Sequence, residues 1–133
     1  MKVAVDTNVL VRAVVRDDRV QGQIAAKWLR NSSPLVVALS ALCELVWVLR
    51  RVYGFKAAEV ADTIRALTSA DNVESNRPAV EAGLAMLDAG GDFADGVIAY
   101  EGKWLGAETF VSFDMKAVEM LTAQGVAARL LLG

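Results

Sequence analysis

The sequence predicts an α/β protein in which helices cover both faces of a parallel sheet. Short apolar segments typical of strands alternate along the chain with longer segments of helical pattern, and strands separated by helices favour a parallel sheet. The strand segments are continuously apolar, as a sheet buried on both faces requires. The 133 residues, 55% of them hydrophobic, match the size of one domain with an ample core. We therefore expect a single domain over residues 1–133.

Five strands and seven helices follow from this pattern. The predicted strands are 2–6, 35–38, 72–75, 109–113 and 127–132. The predicted helices are 8–16, 19–31, 40–53, 57–69, 77–89, 94–105 and 115–124. Turn residues support the breaks between them. Asn-Ser-Ser-Pro at 31–34 separates a helix from a strand, Gly54 is placed to cap a helix at its C-terminus, and Ala-Gly-Gly-Asp at 89–92 ends another helix.

The composition excludes several kinds of chemistry. The chain contains no histidine and one cysteine. Imidazole bases, Ser-His-Asp and Cys-His systems and histidine-bound zinc therefore need residues that this sequence lacks, as do disulfides and thiolate clusters. Neither a phosphate loop nor a Gly-x-Gly-x-x-Gly motif is present, so nucleotide binding has no support. The net charge of −2 gives no global signal for nucleic acid.

Hydropathy favours a cytoplasmic protein with no membrane partner. The longest uncharged stretch, residues 31–43, has 13 residues, whereas a membrane-spanning helix needs about 20 apolar residues. The N-terminus is too short before its first acid to be a signal peptide. The high apolar content suggests a surface that a partner subunit buries.

Four carboxylates lie where a structural role is hard to assign. Asp6 ends the first strand, Glu44 lies in an otherwise apolar helix, Asp95 is near the start of the helix before the fourth strand, and Asp114 ends that strand. A buried ionised carboxylate is costly unless it is paired or binds a metal. Ligands of open parallel sheets bind beyond the carboxyl ends of the strands. We therefore expect the four acids to converge on one oxygen-lined pocket for a hard divalent cation.

Helix capping is the main alternative for the four aspartates Asp6, Asp92, Asp95 and Asp114. Asp6 and Asp114 each precede a helix, where aspartate is a favoured N-cap. Asp92 and Asp95 have the spacing of an N-cap and its capping-box partner. We favour Asp95 as a metal ligand and Asp92 as an auxiliary one.

Glu44 also has a structural alternative, a position on a narrow solvent-facing stripe of its helix. Such a stripe needs polar neighbours three or four residues away. Of these neighbours only Ser40 is polar, whereas Ala41, Trp47 and Val48 are not. The sequence therefore favours a functional Glu44.

Several polar residues flank the acids and are candidates for holding a polyanionic substrate. Those after Asp6 could bond a carboxylate or a phosphate, or simply help the helix to start, and the basic ones could equally be exposed charges that aid solubility. The candidates are Thr7, Asn8, Arg12, Ser112 and Lys116.

Four segments in order resemble PIN-domain nucleases. They are Val-Asp-Thr-Asn-Val-Leu at 5–10, Glu44 with its apolar flanks, Asp-Phe-Ala-Asp-Gly-Val-Ile-Ala at 92–99, and Val-Ser-Phe-Asp at 111–114. The third segment and the short chain are similar to the VapC toxins of toxin–antitoxin pairs. Two departures are mild, because Ser112 stands where the family often has Thr and Gly96 where it often has Ala, and neither removes an acid.

The resemblance implies a fold, an activity and partners. The implied fold is a three-layer α/β/α sandwich with a five-stranded parallel sheet. The implied activity is that of an endoribonuclease dependent on Mg²⁺ or Mn²⁺, in which metal-activated water hydrolyses RNA. A homodimer and a cognate VapB-like antitoxin are implied as well, and apolar surface around helices 40–53 and 57–69 would suit that partner. The implied metal ligands are Asp6, Glu44, Asp95 and Asp114, with Asp92 auxiliary.

Three competing interpretations remain. A receiver-like Mg²⁺ phosphoacceptor would need adjacent acids after the first strand and a lysine at a later strand end, but Thr7 follows Asp6 and the later strand ends in Asp114. A phosphatase of the haloacid dehalogenase type would need Asp-x-Asp, and residue 8 is Asn. A catalytically silent PIN scaffold is the third, and the complete acid set argues against it.

Overall fold

The computed structural model describes residues 1–132, and the chain forms two compact units, Met1–Asn76 and a second that begins at Arg77. All the predicted helices and strands are found among the described residues, with bounds that differ from the prediction by at most two residues. The alternation of apolar strands and helices is therefore confirmed. The expectation of a single domain over the whole chain stays a prediction.

The first unit contains a three-stranded parallel sheet in the order β1-β2-β3. Val3 pairs with Leu35, which pairs in turn with Val73. The apolar faces of the helices form a buried core that includes Leu10, Leu42, Leu45, Leu49, Val60 and Ile64. The elements are β1 (Val3–Ala4), α1 (Thr7–Val15), α2 (Arg19–Asn31), β2 (Leu35–Val36), α3 (Leu39–Arg51), α4 (Ala57–Ser69) and β3 (Val73–Glu74).

Local chemistry sets the helix ends of this unit. The Asp6 side chain caps α1 and the Asp18 side chain caps α2, each satisfying a backbone N–H that the first helical turn leaves unbonded. After α3, Gly54 adopts a left-handed φ of 69°, a conformation that glycine adopts without the steric cost of a Cβ. Gly54 therefore follows the end of α3 as predicted, but the C-cap residue itself is Val52, two residues earlier.

The second unit contains a two-stranded parallel sheet in which Phe110 of β4 pairs with Ala128 of β5. Met86, Ala99 and Leu121 form a buried cluster, against which Phe110 and Met120 pack. The elements are α5 (Arg77–Asp88), α6 (Phe93–Trp104), β4 (Phe110–Ser112), α7 (Met115–Ala123) and β5 (Ala128–Leu130).

The expectation of one five-stranded sheet is wrong. The described strands form separate sheets of three and two strands, all parallel. Each strand pairs over only two or three residues, so the rest of each apolar run lies outside a hydrogen-bonded ladder. The single five-stranded sheet was implied by the resemblance, whereas the apolar runs indicated only which segments are extended and buried and not which strands pair.

Among residues 1–132, no helix combines the length and the apolar character needed to cross a membrane.

Candidate active site

Asp6 lies between β1 and α1 and is the N-cap of that helix. Its Oδ1 accepts a hydrogen bond from the Val9 backbone N–H at 3.1 Å, so the capping alternative is confirmed. Capping uses only one oxygen, and within residues 1–132 Oδ2 accepts no hydrogen bond. Asp6 is exposed. A cap and a metal ligand are therefore compatible roles for this carboxylate.

Glu44 lies on the solvent-facing stripe of α3, contrary to the argument from its neighbours. Ser40, Glu44, Trp47 and Arg51 are all exposed, and their spacing places them along one helix face. Trp47 is 59% exposed, which shows why the argument failed: a stripe at the surface can include a large apolar side chain. The carboxylate of Glu44 makes no hydrogen bond or ion pair with the described residues.

Asp92 and Asp95 both lie at the start of α6, but they differ in their bonding. Asp92 is the N-cap, and its Oδ1 accepts a hydrogen bond from the Ala94 N–H at 2.8 Å. Asp95 makes no return bond to the Asp92 backbone within residues 1–132, so the pair is not a capping box. No donor in the described part of the chain bonds the half-buried Asp95 carboxylate.

Asp114 follows β4 and caps α7. Its Oδ1 accepts a hydrogen bond from the Ala117 N–H at 3.2 Å, while its own backbone N–H donates to the Ser112 Oγ at 2.9 Å. The Ser112 hydroxyl therefore fixes the backbone that carries the acid. The structure assigns Ser112 this local role, and contact between its hydroxyl and a substrate stays a prediction.

Asp95 feels the charges of two other aspartates of the second unit. The pKa of Asp95 is raised above the ordinary value by burial first, and then by the negative charges of Asp92 and Asp114. Both effects disfavour the ionised form. This is the electrostatic situation that a bound cation would relieve, and it arises without any basic side chain paired to Asp95 among the described residues.

The predicted polar neighbours of Asp6 gather in a groove of the first unit. Asp6, Asn8 and Arg12 line it together with apolar residues of β1 and α2, and its volume is about 740 Å³. Thr7 is the first residue of α1 and is half-buried. In the second unit, Lys116 is exposed and forms no ion pair with residues 1–132.

Arg12 is held in a polar network that the sequence did not reveal. Its Nη1 donates to Asp17 Oδ1 at 2.8 Å and its Nε to Gln21 Oε1 at 3.1 Å. The Tyr53 hydroxyl donates to the other Asp17 oxygen at 3.0 Å. The hydrogen bond from Tyr53 and the charge of Arg12 hold the pKa of Asp17 below its ordinary value. Arg12 could hold a substrate only with the guanidinium N–H groups that this network leaves over.

The donor set suits a hard cation, but its full geometry is not formed within either unit. Carboxylate oxygens are the ligands that Mg²⁺ and Mn²⁺ prefer, and the mutual repulsion around Asp95 favours cation binding. Within residues 1–132, neither unit by itself holds three acidic or cysteine side chains close enough to bind a metal. Asp6 and Glu44 belong to the first unit and Asp95 and Asp114 to the second, and their convergence stays a prediction.

Parallel strands separated by helices, with Asp6 after β1 and Asp114 after β4, make this an α/β fold. The family model of the PIN domain matches residues 3–120, and the chain belongs to the PIN domain family. PIN domains are generally metal-dependent nucleases. A search of the curated proteins found no match.

Proposed function

We propose that this PIN domain is an endoribonuclease dependent on Mg²⁺ or Mn²⁺ and the toxin of a VapBC-type toxin–antitoxin pair. The observation that supports this best is the Asp95 carboxylate, whose pKa is raised by burial and by the charges of Asp92 and Asp114, with no basic side chain paired to it among residues 1–132. Natural sequences rarely keep such repulsion without a function. Membership of the PIN family directs the interpretation towards phosphodiester hydrolysis.

Four carboxylates would hold the cation in this proposal, with Asp92 as an auxiliary: Asp6, Glu44, Asp95 and Asp114. A bound divalent cation supplies a nucleophile from water at neutral pH and neutralises charge on the phosphodiester. The chain contains no histidine, so no imidazole base competes for this task. The caps on α1 and α7 hold Asp6 and Asp114 by one oxygen each and leave the other oxygen for the cation.

The remaining polar residues would orient the RNA. Lys116, exposed in the first turn of α7, lies two residues after Asp114 and is placed to meet a phosphate near that acid. Asn8 opens into the groove that Asp6 lines. Arg12, whose guanidinium is bonded to Asp17, lines the same groove.

An antitoxin and a second copy of the chain are the proposed partners. Exposed apolar side chains support them, because such surface is normally covered in solution. Val20, Ile24 and Trp28 recur every four residues along α2 and are 67%, 54% and 47% exposed. Trp47 on α3 belongs to the surface expected to meet the antitoxin. The molar mass of the purified chain, measured over a range of concentrations, tests the homodimer directly.

The decisive experiment is cleavage of a panel of structured RNAs by the purified chain in Mg²⁺ or Mn²⁺. We expect metal-dependent cuts that EDTA abolishes and that the Asp6→Asn variant does not make, while that variant folds as well as the wild type. Loss of the fold in Asp6→Asn would contradict a metal-site role for this acid. Neither Mn²⁺ binding nor cleavage of any RNA would favour the silent scaffold.

A further inference from the structure

The first turn of α6 carries two of the proposed ligands and rests directly on α5. The side chain of Phe93, fully buried, lies between Asp92 and Asp95 in the sequence. Its ring covers Gly83 of α5 so closely that a Cβ at Gly83 would lie 2.6 Å from Cε2 and 2.7 Å from Cδ2 of the ring. The ring can sit at this depth only because residue 83 has no side chain.

Gly96 makes a second close contact, and this one is between backbones. A Cβ at Gly96 would lie 2.8 Å from the carbonyl carbon of Ala82 and 2.9 Å from Cα of Gly83, and closer still to the Ala82 oxygen. Real Cβ atoms do not come this near to a backbone, and a backbone cannot rotate away as a side chain can. The Gly96 N–H also donates to the Asp92 carbonyl at 3.4 Å, closing the turn that holds both aspartates.

We propose that Gly96 is a positioning residue, whose backbone contact with α5 fixes the first turn of α6 and thereby the placement of the Asp92 and Asp95 carboxylates. The proposal rests on the proposed function, in which these carboxylates bind the cation. A methyl group at position 96 pushes the turn away from α5, and the two aspartates move with it. Because no residue of 1–132 donates a hydrogen bond to the Asp95 carboxylate, a shift of the backbone at this turn moves the carboxylate with it.

The chain offers a matched control in the same helix. Gly102 also lies in α6, but the nearest atom to a Cβ there is Cβ of Ala107 at 3.8 Å, which is ordinary contact. Gly102→Ala therefore changes helix propensity in the same way as Gly96→Ala without touching α5. A difference in Mn²⁺ affinity between the two variants therefore comes from the contact of residue 96 with α5 and not from the change of glycine to alanine as such.

The test measures Mn²⁺ binding to the full chain by titration calorimetry. Thermal unfolding of each variant is recorded as well, to show that it folds. We expect Gly96→Ala to melt cooperatively and to raise the Mn²⁺ dissociation constant at least about tenfold, a change of roughly 1.4 kcal/mol, while Gly102→Ala binds as the wild type does. Wild-type affinity in a folded Gly96→Ala variant would overturn the proposal.

A second pair of variants decides the matter if Gly96→Ala does not fold. Phe93→Leu removes the ring that packs on Gly83. It should weaken Mn²⁺ binding, because the first turn of α6 loses this packing contact with α5. Adding Gly83→Ala to Phe93→Leu fills the vacated space and should recover much of the affinity. Equal affinities in the single and double variants would overturn the idea that contact with α5 places these acids.

Backbone amide NMR of the metal-free chain separates this proposal from the proposed function. If the wild type binds no Mn²⁺, the metal site is wrong, yet the positioning claim can still be tested. We then expect Gly96→Ala to shift the amide resonance of Asp92, one helical turn from the substitution, and Gly102→Ala to leave it in place. Unchanged resonances in both variants would overturn the positioning role independently of any metal.

Discussion

Asp17 and Asp95 are aspartates in opposite electrostatic situations, one in each unit. Asp17 accepts hydrogen bonds from Tyr53 and Arg12, which lower its pKa. Asp95 has no such donor among residues 1–132, and burial and two neighbouring aspartates raise its pKa. The first carboxylate is satisfied by the protein and ties α1 to the end of α3. The second has no hydrogen-bond donor among the described residues, and in the proposed function the cation takes that place.

The two units also differ in their balance of basic and acidic residues. Residues 1–76 contain ten basic and eight acidic residues, whereas residues 77–133 contain four basic and eight acidic residues. Acids in the first unit therefore find basic partners more easily than acids in the second. The whole-chain charge of −2 hides this asymmetry, so net charge was a poor guide to where a cation would bind.

The largest expected effect comes from removing the charge of Asp95 in one variant and the charge of Asp17 in another. Asp95→Asn should lower RNA cleavage by at least about 100-fold, since even groups that only support metal ligands cost 10- to 100-fold when removed. Asp17→Asn should keep cleavage within about tenfold of the wild type. Initial rates with one cleavable RNA in Mn²⁺ measure both. An equal loss of activity in the two variants would contradict the distinction between a functional Asp95 and a structural Asp17.

Metal addition and removal provide the next largest effect. At a Mn²⁺ concentration about 100 times the dissociation constant, binding to the folded state should raise the free energy of unfolding by about 2.7 kcal/mol. Denaturant melts with Mn²⁺ and with EDTA measure this difference. The stabilisation should disappear in Asp95→Asn and persist in Asp17→Asn. Metal stabilisation that survives in Asp95→Asn would place the cation elsewhere.

A smaller effect separates capping from metal binding at Asp6. Asp6→Ala should lower the free energy of unfolding by about 1 kcal/mol, because the α1 cap is lost, whereas Asn keeps a capping oxygen. Asp18 caps α2 in the same way, through the Gln21 N–H at 3.0 Å, and provides the matched control. Alanine and asparagine at position 18 should repeat the stability pattern.

Cleavage then distinguishes the two caps. Both Asp6 variants should lose cleavage and both Asp18 variants should keep it, as measured with the same RNA and metal. An Asp6→Asn variant that cleaves RNA at the wild-type rate would reduce Asp6 to a cap, and Glu44 would then be the one proposed metal ligand from the first unit.

What could be predicted from the sequence was local, and what could not depends on distant neighbours. Helix and strand positions follow from apolar periodicity, and the Asp6 cap joins residues only three apart. The Tyr53–Asp17 bond spans 36 residues, and the strand pairing likewise depends on contacts that no short segment encodes. Gly96 seemed a mild departure in the sequence, but its contact with Ala82 becomes visible only once α5 and α6 are packed.

The smallest expected effect is the pH dependence of stability, which has opposite signs for the two aspartates. The lowered pKa of Asp17 in the folded state means that its stabilising contribution is present above the unfolded pKa of about 3.9 and is lost as the pH falls through the folded value. The raised pKa of Asp95 means that its ionised form destabilises the fold at neutral pH, and that this is relieved as the pH falls through the raised value. Thermal melts without metal, recorded from neutral to acidic pH, should therefore give Asp95→Asn a higher melting temperature than the wild type at neutral pH. This difference in melting temperature should be the first to disappear as the pH falls. Asp17→Asn should have a lower melting temperature than the wild type, and this difference should disappear only at a lower pH. If both differences disappeared over the same pH range, the two carboxylates would share one electrostatic environment and the contrast between them would fail.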